Sequence, residues 1–108
     1  MNAKVHVPHW NPTFNYHKAE IYGDLVYWAS MDFDDVDGSS RNSGLMSQIA
    51  NNMQHFNPAV DFILMSGSPI MVGVAIGMAL KSHDRVQVLR FNKLKREYIP
   101  LTVELPNE

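Results

Sequence analysis

The stretch FILMSGSPIMVGVAIGMALKS, residues 62–82, decides the fold. It begins with four consecutive apolar residues, 62–65, which is typical of a strand covered on both faces. In the turn that follows, Ser68 is a suitable N-cap, and Pro69 stands at the first helical position, where its missing N–H costs nothing. The rest is apolar on nearly every side, which predicts a buried helix over residues 69–82.

Strand and helix alternate on the N-terminal side of this stretch as well. Residues 25–29 are an unbroken apolar run of strand length. Residues 44–56 predict an amphipathic helix, with Asn42 or Ser43 as its N-cap and Asn57 before a proline at its end. One face of this helix carries its apolar side chains: Leu45, Met46, Ile49, Met53 and Phe56.

Two further strands follow on the C-terminal side. Residues 85–91 predict a third strand of the parallel type. Residues 97–105 alternate in polarity, which indicates a half-exposed antiparallel strand, and Pro100 places that strand at a sheet edge. The apolar face of the last strand consists of Ile99, Leu101, Val103 and Leu105.

The N-terminal segment, residues 1–21, has the weakest pattern. Residues 4–7 predict a short edge strand that ends at Pro8, and residues 16–21 predict a single helical turn. Together the elements predict one α/β domain over residues 1–108. We expect a small Rossmann-like βαβαββ sandwich, with a three-stranded parallel core and an antiparallel C-terminal hairpin at its edge.

Composition narrows the class of protein. The chain has 108 residues, 45% of them hydrophobic, and a net charge of −2, which is typical of one folded domain with no overall attraction to nucleic acid or membranes. It has no cysteine, so disulfide scaffolds, thiolate metal sites and cysteine nucleophiles are excluded. No apolar run approaches the roughly 20 residues of a membrane span. We therefore expect a cytoplasmic protein that does not enter a membrane.

The helix over residues 69–82 suggests self-association. A domain of 108 residues has little second layer to cover the outer side of such an apolar helix, and an uncovered stripe would be an interaction surface. We therefore expect a homo-oligomer whose interface includes Met71, Val74 and Met78. Gly73 and Gly77 lie on one stripe of the helix, and they predict a close approach of its backbone to the sheet or to another helix.

A ligand site is predicted at the ends of two strands. Ser66, Gly67 and Ser68 lie between a strand and a helix, where free N–H groups favour an anion such as a nucleotide phosphate. Ser30 and Asp32 follow the preceding strand, so both segments are expected to face one crevice. An ordinary capped helix start remains the alternative, since no glycine-rich phosphate motif is present.

Charge is segregated along the chain. Five acidic residues lie within residues 24–37, and a calcium-binding loop can be aligned there only with Phe33 and Gly44 at places that need carboxylates, so no metal is expected. The basic hairpin near the other end combines cations with aromatic rings, which is a pattern of single-stranded nucleic-acid binding. Its candidate residues are Arg90, Phe91, Lys93, Lys95, Arg96 and Tyr98.

Catalytic motifs are missing from the sequence. Ser66 has no histidine at a recognisable spacing, and a proline separates His6 from His9, which favours structural or surface roles for both histidines. The aromatic residues near the N-terminus are interpreted as packing residues. We therefore expect no catalytic residues and no cofactor, and a binding protein rather than an enzyme.

Several segments resemble a group of small phage-encoded proteins, over roughly residues 15–105. The resemblance is carried by residues 15–16, 19–20, 22–27, 61–69, 88–91 and 96–101. Such proteins often have a threonine where Ser66 or Ser68 stands, and a Lys-Trp-Asp turn at residues 90–92 of this chain. The resemblance implies a viral protein acting in a bacterial cytoplasm and brings no agreed activity.

Three functions therefore remain open. The first is a non-enzymatic phage accessory protein that self-associates and binds a host component, with interference in host defence or metabolism as one hypothesis. The second is a small-ligand or nucleotide-binding module that uses the strand-end crevice. The third is a protein that binds single-stranded nucleic acid through the basic hairpin.

Overall fold

The computed structural model describes residues 2–106 and shows an α/β fold. A 3-10 helix, His17–Tyr22, accompanies the two α-helices and five strands. In chain order the strands and helices are β1 Lys4–His9, β2 Asp24–Ala29, α1 Ser40–Met53, β3 Phe62–Met65, α2 Pro69–Ser82, β4 Arg85–Asn92 and β5 Glu97–Glu104.

All five strands form one sheet in the order β2-β1-β3-β4-β5. The first four are parallel, and β5 pairs antiparallel with β4 as a hairpin. The prediction of a three-stranded parallel core is corrected to four strands, because Lys4–His9 is an internal strand and not an edge. Val5 pairs with Leu25 on one side and with Phe62 on the other, and Pro8 is buried within the strand instead of ending it.

The two faces of the sheet are covered differently. The helix face lies under α1 and α2, and its core includes Trp28, Ile49, Ile63 and Met71. The opposite face, here called the turn face, is covered by the connection from β1 to β2 and its 3-10 helix. The core on the turn face consists of Val5, Val7, Tyr16, Ala19, Leu64, Leu89 and Tyr98.

Helix α2 has the bounds that the sequence predicts, while α1 begins four residues earlier than expected. Ser68 caps α2 by accepting a hydrogen bond from the N–H of Met71, and Pro69 opens the helix. Ser39, not Asn42 or Ser43, caps α1, since its hydroxyl accepts from the N–H of Asn42 at 3.1 Å. The side chain of Asn42 instead bonds the backbone of the preceding loop.

The glycine stripe of α2 does not approach any other element, so that prediction is corrected. A Cβ built on Gly73 or Gly77 has no heavy atom within 4 Å beyond the neighbouring backbone of its own helix, and both residues are exposed. The close approach occurs at Gly67 instead, where φ is +76° and a Cβ would collide with the imidazole of His9. The outer side of α2 is therefore open to solvent.

The apolar face of β5, which was expected to be its covered face, is exposed. Leu101, Val103 and Leu105 are exposed, whereas Tyr98, on the other face, is buried. The reason is the placement of α2 over β1, β3 and β4, which leaves the helix-face side of β5 without a cover.

Candidate functional site

A pocket of about 270 Å³ lies on the turn face, at the carboxyl ends of β3 and β4. Four aromatic side chains form most of its wall. Its remaining polar lining comes from Ser66, just after β3, from Asn15 and from Lys93 in the β4–β5 turn. We call it the aromatic pocket, and its lining residues are Phe14, Asn15, Tyr16, Ser66, Phe91, Lys93 and Tyr98.

The rings of the aromatic pocket form two pairs from distant parts of the chain. Phe91 and Tyr98 face each other across the hairpin in an edge-to-face arrangement, with centroids 5.1 Å apart. Phe14 and Tyr16 are tilted by 46° at 6.1 Å. Phe14 is 65% exposed and Phe91 is 41% exposed, so each pair offers ring surface to a ligand.

The hydroxyl groups of Tyr16 and Ser66, which both line the pocket, lie close to each other. The N–H of Asn11 donates to the hydroxyl of Tyr16 at 3.0 Å, and the hydroxyl of Ser66 stands 3.5 Å from the same oxygen. The long Ser66 contact is weak, so this hydroxyl can turn toward a ligand. Burial raises the pKa of Tyr98 above its ordinary value of 10.0, and the nearby Tyr16 and Tyr27 add to that shift, so Tyr98 is a neutral hydroxyl.

One cation lines the pocket, and three more lie in the same turn or are bonded to it. We call residues 93–96 the basic turn. Within it, Lys93 lines the pocket, and Arg96 adopts a φ of 53°. The ammonium of Lys18 donates to the carbonyl oxygen of Arg96 at 2.8 Å and so adds a positive charge. Arg90 is separated from this group, because alternation along β4 turns it to the helix face while Phe91 points to the turn face.

The predicted anion site at residues 66–68 is filled by the protein itself. The N–H of Ser68 donates to Nδ1 of His9 at 2.7 Å, and the His9 ring lies against Gly67. The hydroxyl of Ser68 is buried and caps α2. Of the three residues, Ser66 alone reaches the aromatic pocket, so the alternative of an ordinary capped helix start describes Gly67 and Ser68.

Ser30 and Asp32 do not share a crevice with Ser66, which corrects that expectation. Strand β1 lies between β2 and β3, and the chain after it stays beside β2, where the N–H of Trp10 donates to the Ala29 carbonyl oxygen. Ser30 lines a separate, more open pocket with Trp10 and Trp28. Asp32 is exposed and accepts from the N–H of Phe33.

The loop that carries the acidic cluster is fixed by Asn42. The amide of Asn42 donates to the carbonyl oxygens of Asp34 and Val36 and accepts from the N–H of Asp34. Among residues 2–106 no group of three or more histidine or acidic side chains could hold a metal ion.

His6 belongs to a buried cluster on the helix face, which we call the histidine cluster. Its Nδ1 accepts from the indole N–H of Trp28 at 3.1 Å, so Nε2 carries the proton and donates to Asp61 at 3.0 Å. Asp61 also accepts from the N–H groups of Lys4 and Asn57. Burial lowers the pKa of His6 below 6.5 despite the carboxylate. The polar atoms of both side chains therefore have hydrogen-bond partners within the protein.

The sequence indicated only part of the aromatic pocket. Ser66, Phe91, Lys93 and Tyr98 came from two separate predictions, which the fold brings together. Residues 14–16 were missed, because they lie 50–52 positions before Ser66 and because Phe14 and Tyr16 were interpreted as packing residues. The turn residues Asn11 and Asn15, which interrupt an aromatic run, were the available signal for a loop that presents rings.

Fold and site together define a small α/β protein with an aromatic pocket at the carboxyl edge of its sheet. The family model of the Phage Pam3 gp32-like protein matches residues 1–105, and the chain belongs to that family. The expected resemblance to small phage-encoded proteins is thereby confirmed. No curated protein and no solved structure is similar enough to be matched with the chain. Within residues 2–106, neither α-helix is long and apolar enough to cross a membrane.

Proposed function

We propose that this phage protein is a non-enzymatic accessory protein that acts in the host cytoplasm by binding a host component in the aromatic pocket. The observation that carries the proposal is the pocket itself, an apolar cavity with four aromatic walls and few polar groups. Ligand sites of proteins have this composition. The phage family supports an accessory role.

The position of the pocket agrees with the sheet topology. The strand order reverses between β1 and β3, as in doubly wound nucleotide-binding sheets, and we extend the α/β assignment to a Rossmann-like sheet on this basis. Ligands of such sheets bind beyond the carboxyl ends of the strands. His9 fills the position at the reversal, so the open binding site lies one strand further along, at β3 and β4.

The hydrogen-bond partners of Ser66, His6 and His9 favour a binding function over a catalytic one. Ser66 contributes the aliphatic hydroxyl of the pocket, and its neighbour is the hydroxyl of Tyr16. His6 is bonded to Asp61 and Trp28, and His9 is bonded to the α2 N-terminus. Neither histidine is positioned to activate the serine.

The experiment is native mass spectrometry of the purified protein after incubation with a host-cell extract. Ser66→Phe fills the pocket with a fifth ring, and Ser43→Phe, at an exposed position on α1, is the matched control. We expect the wild type and Ser43→Phe to retain the same added mass and Ser66→Phe to lose it. Equal retention by all three proteins, or no retained mass in any of them, would overturn the proposal.

A second candidate is self-association through the outer side of α2 and the uncovered face of β5. Ile70, Gly73 and Gly77 are exposed on α2, and Leu101 and Val103 are exposed on β5. Of the interface residues expected from the sequence, Met71 is fully buried in the core and is unavailable, whereas Val74 and Met78 are half-buried at the flank. The proposed interface therefore centres on the glycine stripe.

Size-exclusion chromatography with light scattering tests this second candidate. Gly77→Glu places a charge on the open side of α2 without an internal clash, and Gly44→Glu does the same on α1. We expect a dimer or larger oligomer for the wild type and Gly44→Glu, and a monomer for Gly77→Glu. A monomeric wild type at tens of micromolar would contradict self-association.

A further inference from the structure

We propose that the occupant of the aromatic pocket is one base of a single-stranded nucleic acid, whose phosphates follow the basic turn. This inference rests on the proposed function and names its ligand class. It is carried by the juxtaposition of the aromatic pocket with the basic turn, whose Lys93 lines the pocket and whose Arg96 carbonyl oxygen accepts a hydrogen bond from Lys18.

The size of the pocket fits a single ring system. Its volume of about 270 Å³ lies just below the roughly 300–1,000 Å³ of sites for drug-sized ligands. The exposed rings of Phe14 and Phe91 offer stacking surfaces. Base-on-aromatic stacking tolerates any base, because every base has a π-face.

The polar groups of the wall can bond the edge of a stacked base. Oδ1 of Asn15 is bonded to the backbone N–H and the ring of His17, which leaves its Nδ2 as a donor. The hydroxyl of Ser66 has only a long contact with Tyr16 and can donate or accept. Both residues line the same pocket as the four rings.

The positive charges near the pocket favour a nucleic-acid strand over a free mononucleotide as the ligand. Lys93 lies at the pocket, Lys95 and Arg96 follow within the same turn, and Lys18 is bonded to the backbone of that turn. None of these four cations forms a salt bridge within residues 2–106. Glu97 and Glu20 are the carboxylates nearest in sequence, so the local balance is positive. Several cations in a row match successive phosphates of a strand.

Fluorescence anisotropy of a labelled oligothymidylate of about 12 nucleotides tests the inference at low salt. Phe91→Ala removes a stacking ring, and Val36→Ala, at a side chain that is exposed in the loop between β2 and α1, is the matched control. We expect Phe91→Ala to weaken binding about tenfold. Val36→Ala is expected to bind like the wild type, because it lies outside both the aromatic pocket and the basic turn. Equal binding by both variants would overturn the stacking role.

The charge contribution is tested by the salt dependence of the same binding. Lys93→Gln should reduce the slope of log affinity against log salt by about 0.7, the value for one phosphate contact on a single strand. Arg90→Gln, on the opposite face of β4, is the control and should leave the slope unchanged. An unchanged slope for Lys93→Gln would contradict a phosphate at that side chain.

Competition experiments separate this inference from its alternatives. If double-stranded DNA or thymidine monophosphate competes as well as the oligonucleotide, the assignment of the ligand as a single-stranded nucleic acid is overturned. Absence of oligonucleotide binding, together with a retained host mass that Ser66→Phe abolishes, would overturn this inference and leave the proposed function standing. Absence of both signals would overturn both. Thermal melting of each variant confirms that it is folded.

Discussion

The histidine cluster and the aromatic pocket combine the same ingredients in opposite ways. In the cluster, His6 contacts the rings of Trp28 and Phe56 edge-on, and each polar atom has a partner. In the pocket, rings of comparable number surround the hydroxyl of Ser66, which has one long contact. The cluster lies under two helices, and the pocket lies beside a single 3-10 turn.

The two regions therefore differ in what their polar groups can do. The polar groups of the histidine cluster stabilise the fold, whereas those of the aromatic pocket remain available to a ligand. A buried polar group that is fully bonded contributes to the specificity and stability of the fold, and it has no capacity left for a ligand. An apolar cavity with underused polar groups contributes little to stability and retains that capacity. Substitutions in the two regions should therefore differ in how far they change the free energy of unfolding.

Asp61→Ala should have the largest effect. It leaves the buried N–H of His6 and the part-buried N–H groups of Lys4 and Asn57 without their acceptor, which should lower the free energy of unfolding by about 3–5 kcal/mol. Urea denaturation measures this change. Asp84→Ala, at an exposed carboxylate, should change it by less than about 0.5 kcal/mol. A similar small change for both variants would show that the cluster is not structural.

Trp28→Phe should have an intermediate effect. The ring stays, but Nδ1 of His6 loses its donor, and an unsatisfied buried acceptor costs about 1–3 kcal/mol. The comparison variant is Trp10→Phe, because the indole N–H of Trp10 donates to no group within residues 2–106. Urea denaturation of the pair should show the larger loss for Trp28→Phe, and the reverse order would contradict the proposed bond.

Acid should destabilise the protein through the same cluster. Burial, with smaller contributions from Lys4 and His55, lowers the pKa of His6 below 6.5, while Asp61 opposes the shift. The unfolded chain therefore binds the proton more readily than the folded one. Stability from this group should be complete above about pH 6.5 and should fall as pH decreases below it. Thermal melting against pH measures the decline, which should vanish in a stable His6→Gln variant.

Phe14→Ala should have the smallest effect on stability. Its ring is largely exposed, so its loss should change the free energy of unfolding by no more than about 0.5 kcal/mol. The same substitution should weaken oligonucleotide binding, since it removes a wall of the pocket. Ile21→Ala, exposed in the same connection between strands, should alter neither quantity. A large loss of stability in Phe14→Ala would place the pocket with the structural core.

The parts of the fold that local sequence controls could be predicted. Helix α2 has its cap at Ser68, its proline at Pro69 and its apolar body in one contiguous stretch, so no distant contact is needed to define it. Strand β3 is an unbroken apolar run, and β4 carries the apolar residues Val86, Val88 and Leu89. The bounds of these elements in the structure agree with the predicted bounds to within one residue, because residues within each element specify it.

The position of β1 could not be predicted, because its polar residues become acceptable only through distant partners. His6 finds Asp61 at a separation of 55 residues. The aromatic pocket could not be predicted for the same reason, since Phe14 and Tyr16 meet Phe91 and Tyr98 only after the sheet has formed. Pairings of this kind depend on topology, which a local pattern does not contain.

The short 3-10 helix between β1 and β2 has a consequence for local opening. A connection of this kind makes few buried contacts, so it should open more often than the two α-helices, and amide hydrogen exchange should be faster beneath it. Because Phe14 and Tyr16 belong to the same connection, a bound ligand would hold it closed. We therefore expect ligand binding to slow amide exchange along Asp24–Ala29, a strand that contributes no residue to the pocket.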